Sequence, residues 1–397
     1  MSKNKTSQTN RINFVLLIIV VSQFCCTSLW FAGNSVLSDL VFNFNLNEAA
    51  LGYLTSSIQF GFISGTLVFA TLTITDRYAP SKVFFLSALM AAIFNLGLIW
   101  SSNTMFSLLV FRFATGFFLA GIYPVGMKIA ADYFEIGLGK SLGFLVGALV
   151  LGTAFPHLLK GISLGFSWQI IVYATTGLAL LGGLLMLSLV PNGPFRRASS
   201  DIDYSAFLSV FKNKAFRSAA FGYFGHMWEL YAFWAFVPIM IKTYVSLNVD
   251  VSLNSSLYTF LIIGTGSIAC VISGYLSLKF GVKRIALIAL SLSGLCCLLS
   301  PLLFMLDSLS FFLVFLLFWG MVVIADSPMF STLVAQNTAG QLKGTALTIV
   351  NCIGFGITII SIQIMSFMVS NTSSIYCYII LGIGPLFGIF HLIKKKS

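Results

Sequence analysis

The chain has 397 residues, of which 58% are apolar (AVILMFWYC) and only 8% are Asp, Glu, Lys or Arg, where a soluble domain carries about 25% charged residues. That composition cannot cover a water-soluble surface. It excludes a cytosolic enzyme, a disordered tail and a secreted disulfide scaffold, and leaves a polytopic all-α membrane protein. The formal charge of +11 does not point to nucleic acid, because the basic residues alternate with apolar runs instead of forming one patch.

At about 20 residues per span the length holds about twelve helices. Apolar runs place them at about 14–38, 48–74, 80–100, 106–130, 139–160, 168–189, 217–243, 254–278, 282–305, 309–334, 342–369 and 373–392. The first run follows a basic N-terminus, but it is too long for a signal peptide and lacks a small-residue cleavage site, so it reads as a span. Most Lys and Arg fall in every second connection: Lys3, Lys5 and Arg11; Arg77 and Lys82; Lys140; Arg196, Arg197, Lys212, Lys214 and Arg217; Lys279, Lys283 and Arg284; Lys343; and Lys394 to Lys396. Asp39, Glu48, Asp250 and Asp307 mark the intervening connections. This positive-inside pattern puts both termini in the cytoplasm. Residues 191–216 read as a cytoplasmic linker between an N-terminal six-helix bundle (1–190) and a C-terminal one (217–397). The AFLSVF stretch within the linker reads as a short interfacial helix. Seven cysteines, all in apolar runs and none in CxxC spacing, read as free thiols and not as a zinc site.

The two bundles share an internal repeat. A shift of 204 residues superposes Trp30 on Trp234, Gly116 on Gly320, Pro124 on Pro328 and Gly152 on Gly356. Transporters are often built from such repeats, with the solute site at the midplane between them.

The connection after helix 2, Thr75-Asp76-Arg77-Tyr78-Ala79-Pro80-Ser81-Lys82, resembles the Asp-Arg-x-Gly-Arg-Lys signature of the major facilitator superfamily. Its shadow in the second half is Lys279-Phe280-Gly281-Val282-Lys283-Arg284, and Arg112 with Gly116 in helix 4 resembles the superfamily's Arg-x-x-x-Gly motif. The resemblance covers the whole chain and implies two pseudo-symmetric six-helix bundles. Asp76, Arg77 and Lys82 are expected to gate the inner mouth, with Arg77 reaching Asp132, the nearest acidic residue there. The sequence departs from the family pattern at Ala79, where the signature has glycine, at Leu72, and at Ala148, where drug antiporters carry proline. Gly121 to Lys128 is loosely similar to the nitrate/nitrite-porter branch, whose substrate arginines are missing from helices 2 and 8 here.

An ionisable residue inside a span is a functional candidate by default. Arg112 lies roughly 8 Å inside helix 4 at 1.5 Å per residue, on a face continuing to Tyr123. A planar, permanent cation there suits an anion, or else bonds helix carbonyls and holds helices together. Glu229 lies roughly 18 Å into helix 7 with His226 on its face. It reads as a proton-coupling carboxylate, with Asp326 beside Pro328 as a second candidate. Helix 1 carries a polar stripe of Gln23, Thr27, Trp30 and Asn34, which in lipid must face protein or a cavity. Tyr231 and Trp234 match it by the repeat, yet they lie roughly 150° round the helix from Glu229 at 100° per residue. Either helix 7 is broken near Pro238, or Glu229 faces a neighbouring helix.

No P-loop, HExxH, GxSxG or metal cluster is present, so neither an enzyme nor ATP-driven transport is expected, and no cofactor. The expectation is a monomeric secondary transporter in a bacterial cytoplasmic (inner) membrane, with lipid, protons and a small solute as partners. Arg112 suggests a small organic or inorganic anion as that solute. The alternatives are a proton-driven efflux pump for amphipathic compounds and, in another class, a transport-fold receptor or sensor.

Overall fold

A computed structural model of the chain describes residues 2–47, 49–133, 138–163, 166–196, 210–248, 250–338, 342–372 and 374–394, with side chains undescribed at 2–13, 76, 138–140 and 343. Regular structure among the described residues is helical throughout. Eleven helices among the described residues are long and apolar enough to span a bilayer: Ala50–Thr71, Pro80–Ile99, Met105–Tyr133, Ser141–Ile162, Gln169–Leu189, Lys214–Leu247, Ser255–Phe280, Val282–Leu299, Leu309–Gln336, Gly344–Asn371 and Ile375–Ile393. They correspond to predicted helices 2 to 12, whose numbers are kept.

Predicted helix 1 is interrupted. Its apolar part, Phe14–Thr27, ends at a turn over 28–31, and short helices Ala32–Ser35 and Leu37–Phe44 follow. Helix 4 breaks between Leu119 and Tyr123, and helix 10 at Asp326. Pro124 and Pro328 each sit in the first turn of the piece that follows, where a missing N–H costs little. Helix 7 runs unbroken over Lys214–Leu247 with Pro238 inside it, so of the two arrangements weighed above the structure adopts the one in which Glu229 faces neighbouring helices.

The repeat is visible as packing. A Cβ on Gly116 would lie 2.0 Å from the Ile58 carbonyl oxygen, and a Cβ on Gly320 would lie 2.0 Å from that of Ile262. Both members of the pair are displaced by 204 residues, so helices 4 and 2 and helices 10 and 8 approach backbone to backbone in the same way. Only a residue without a side chain permits that approach.

Local signals set the ends. Thr104 and Ser107 form a reciprocal cap at the start of helix 4. Asn213 caps helix 7 by accepting from Ala215 N and Phe216 N, and its amide donates to Asn337 O at 3.1 Å. Gly281 takes φ 86° between helices 8 and 9, a conformation that favours glycine. Ala79, its counterpart in the first half, has φ −62°, which any residue adopts, and this accounts for the departure from the signature glycine. The linker reading tests only at its edges: Val210–Lys212 form a 3-10 turn, and 197–209, with most of the AFLSVF stretch, lie outside the described residues.

The halves meet most extensively through helices 5 and 8 and helices 2 and 11. Polar ties cluster toward the end expected to face outside. Lys242 Nζ donates to Ser38 Oγ at 3.0 Å, Asn254 Nδ2 to Gly161 O at 2.9 Å and Gln363 Nε2 to Ser56 Oγ at 2.7 Å. Beside them Lys160 pairs with Asp39 at 2.7 Å.

Candidate functional site

A cavity of about 520 Å³ lies between the halves and reaches the helix ends on the linker side. The first half contributes Thr66, Phe69, Tyr123, Met127 and Lys128 from helices 2 and 4. The second contributes Tyr223, Ser327, Ser331, Thr348 and Asn351 from helices 7, 10 and 11. The Tyr123 and Tyr223 hydroxyls bond to no protein group among the described residues, which leaves them available to a solute. Lys128 Nζ donates to Thr75 Oγ1 at 3.3 Å.

One to three turns further along the same helices the interior is closed by stacked rings. Trp30 lies 4.9 Å from Phe62, 5.7 Å from Phe355 and 5.8 Å from Tyr231, and Tyr231 lies 5.2 Å from Trp234. Apart from Tyr123, none of the residues expected at the solute site lines the cavity in this state. Trp30, Tyr231 and Trp234 belong to the closed stack. Gln23 and Thr27 are fully buried behind it, with Thr27 Oγ1 donating to Gln23 O at 2.8 Å. Asn34 Nδ2 donates to Thr55 Oγ1 at 2.7 Å.

Arg112 explains the break in helix 1. The turn over 28–31 frees carbonyls that an intact helix would satisfy. Arg112 Nη1 donates to Leu29 O at 3.2 Å and Nη2 to Trp30 O at 2.5 Å, with Asn34 Oδ1 a further 3.4 Å contact. Gly33 packs against the guanidinium, where a Cβ would stand 3.1 Å from Nε. Arg112 is fully buried and outside the cavity, so its geometry is that of a helix-holding residue and not of an anion anchor facing the solute.

Glu229 is likewise committed. Its Oε1 accepts from Trp319 Nε1 at 2.6 Å and its Oε2 from Ser293 Oγ at 2.9 Å, which joins helices 7, 9 and 10 inside the second half. The other two titratable groups face each other. His226 Nδ1 lies 2.8 Å from Asp326 Oδ1, in ion-pair contact but off the line of a hydrogen bond. Both are buried. Asp326 sits at the helix 10 break, next to Ser327 on the cavity wall, and the His226 ring packs on Tyr223 of that wall at 5.9 Å and on Phe330 at 6.0 Å. One carboxylate is thus saturated by donors, while the other faces an imidazole and accepts no hydrogen bond among the described residues.

At the linker end, Arg77 is exposed and its Nε donates to Thr73 Oγ1 at 3.0 Å, in place of the expected contact with Asp132. Thr73 has φ 49°, next to Leu72, where the family pattern has glycine. Lys82 is exposed and Asp132 buried. The Asp76 side chain lies outside those described. The start of the linker docks here: Phe195 N donates to Asp132 O at 3.0 Å and Arg196 Nη2 to Tyr78 O at 3.0 Å.

Tyr223, Ser327, Thr348 and Asn351 were not expected in the site. Two of them had a signal. Ser327 is Tyr123 displaced by 204 residues, and Tyr223 extends the Tyr231/Trp234 stripe two turns along one helix face. Thr348 and Asn351 had none.

The structure is that of a helical membrane protein with two related halves enclosing a central cavity. Residues 19–362 match the family model of the Major Facilitator Superfamily. The chain belongs to that superfamily and is an integral, multi-pass membrane protein. Over 133 residues it is 28% identical to a Haemophilus influenzae protein described as a metabolite transport protein, and the match covers 31% of this chain and 32% of that one. A bacterial homolog of the human lysosomal transporter Spinster, in an inward-facing, unoccupied conformation, shares the fold with a TM-score of 0.65 at 16% identity, over 91% of this chain and 83% of the other. The human organic anion transporter MFSD10 (TETRAN) does so with a TM-score of 0.71 at 14% identity, over 96% and 99%.

Proposed function

We propose that the chain is a secondary transporter that moves a small amphipathic organic solute by alternating access, driven by proton movement at the His226–Asp326 pair. The cavity carries this reading. It is walled by both halves, sealed at one end by rings and ties that cross between them, and open at the other. With the linker end cytoplasmic, as the positive-inside pattern has it, this is an inward-facing state. The walls are apolar surface with hydroxyls and one amide, and Lys128 is the single cation among the described lining residues. The anion preference suggested by the sequence rested on Arg112, which binds backbone carbonyls outside the cavity, so an amphipathic solute fits better. An organic acid held through Lys128 is the second reading.

Proton coupling follows from the two carboxylates. Glu229, bonded to two donors, serves as a structural tie. Asp326, facing one imidazole next to the cavity wall, can exchange a proton as the helix 10 break rearranges. Counterflow in proteoliposomes against a library of small organic solutes tests the substrate class. Competition by neutral amphipathic compounds is expected, and competition by inorganic anions alone would overturn it.

A further inference from the structure

The sealed half of the molecule contains polar groups that its packing leaves unsatisfied. His157 Nε2, Trp234 Nε1, Trp30 Nε1 and Thr153 Oγ1 are buried and have no hydrogen-bond partner among the described residues. They come from helices 5, 7 and 1, and they are close together. The rings of His157 and Trp234 each pack edge-on against Phe31 at 6.3 Å, and Thr153 is one turn before His157 on helix 5. Trp30 and Trp234 are rings of the aromatic stack, and His157 and Thr153 lie on its far side from the open cavity, toward Lys160, Ser38 and Lys242, where the halves are tied.

A structural core seldom gathers unpartnered polar rings from two helices around one phenylalanine, with two more unpartnered groups close by, because each costs free energy in the absence of a partner. A surface that is only intermittently buried does. Resting on the alternating-access reading above, we propose that His157 and the Trp234 indole form an outer solute contact, collapsed onto Phe31 here and opened when the Ser38–Lys242 end parts. Two indole N–H groups are donors only, so the ligand they suit is an oxygen acceptor on an otherwise apolar organic solute, such as a carbonyl, ether, hydroxyl or carboxylate. The inward cavity offers hydroxyls to the same molecule. The solute would pass from donors on helices 1, 5 and 7 to the phenols of Tyr123 and Tyr223.

Two measurements without solute test this on the full chain, with its seven cysteines replaced by alanine or serine. In the first, a single cysteine at position 157 or 153, both buried here, is exposed to a membrane-impermeant methanethiosulfonate from the outer side, and labelling at both is expected. In the second, a spin-label pair across the outer end reports the closed and open fractions. A single closed population means that the outer end does not open, and the alternating-access reading fails. Opening without labelling at 157 and 153 overturns the outer contact alone. His157→Leu removes an orphan from the closed state and should raise the closed-to-open ratio about 5-fold or more, and Thr153→Val should act in the same direction. An unchanged ratio in both variants overturns the inference.

Discussion

Replacing Arg112 by methionine separates a helix-holding role from an anion-anchoring one. Methionine keeps the length and apolar stem but donates nothing, so the carbonyls of Leu29 and Trp30 lose donors now at 3.2 and 2.5 Å. A buried acceptor left unpaired costs about 1–3 kcal/mol, so the two together put the loss at about 2–6 kcal/mol before relaxation. The chain can recover part of that by closing the turn over 28–31 into continuous helix, which would swing Trp30 and Phe31 out of the stack. The expected result is a marked fall in melting temperature in detergent, together with weakened counterflow of every solute tested. Lysine should restore little, because an ammonium lacks the planar fork that reaches both carbonyls. Thermal unfolding and counterflow on one preparation decide the matter. A methionine variant that melts like the parent and loses affinity only for anionic solutes would refute this reasoning and return Arg112 to the solute site.

Glu229→Gln can turn its Oε1 to Trp319 Nε1 and donate its Nε2 to Ser293 Oγ, whose hydroxyl already reaches Leu290 O at 3.2 Å, so it should change thermal stability by no more than about 1 kcal/mol and leave uphill uptake in place. Unchanged stability with uptake abolished would make Glu229 the coupling group after all. Gly116→Val and Gly320→Val place side-chain carbon against the backbone at 2.0 Å, and both should abolish folded yield in a size-exclusion assay; a normal yield for either breaks the packing equivalence of the halves. Cysteines at Ser38 and Lys242, whose present side chains touch at 3.0 Å through the lysine tip, should be bridged by a short bis-methanethiosulfonate that takes the place of the lysine arm, and the bridge should stop transport until reduced. Cross-linking that leaves transport running would show that this end does not open.

The spans were legible because bilayer thickness and apolar composition fix helix length almost alone. The repeat was legible because Gly116 and Gly320 serve one steric need. Departures arose where polar side chains chose partners that a linear pattern does not record. Composition makes Arg112 a cation awaiting an anion, but a break in helix 1 supplies carbonyls in its place, and nothing in residues 28–31 announces that break. Glu229 and Asp326 look alike in sequence. Trp319 and Ser293 saturate the first and His226 faces the second, a difference set by contacts 64 to 100 residues apart in the chain. The expected solute residues of helices 1 and 7 cluster in the sealed half because the structure is open at one end only, and which end is open is a property of the conformation and not of the residues.

Accumulation and exchange measured side by side in Asp326→Asn proteoliposomes test proton drive at the His226–Asp326 pair most directly. Asparagine is close in shape and cannot titrate. With the best competitor from the solute screen supplied in radiolabelled form, counterflow should proceed at a rate near that of the parent, while accumulation driven by an imposed pH gradient should disappear. Accumulation by the variant at the parent's rate would contradict the assignment.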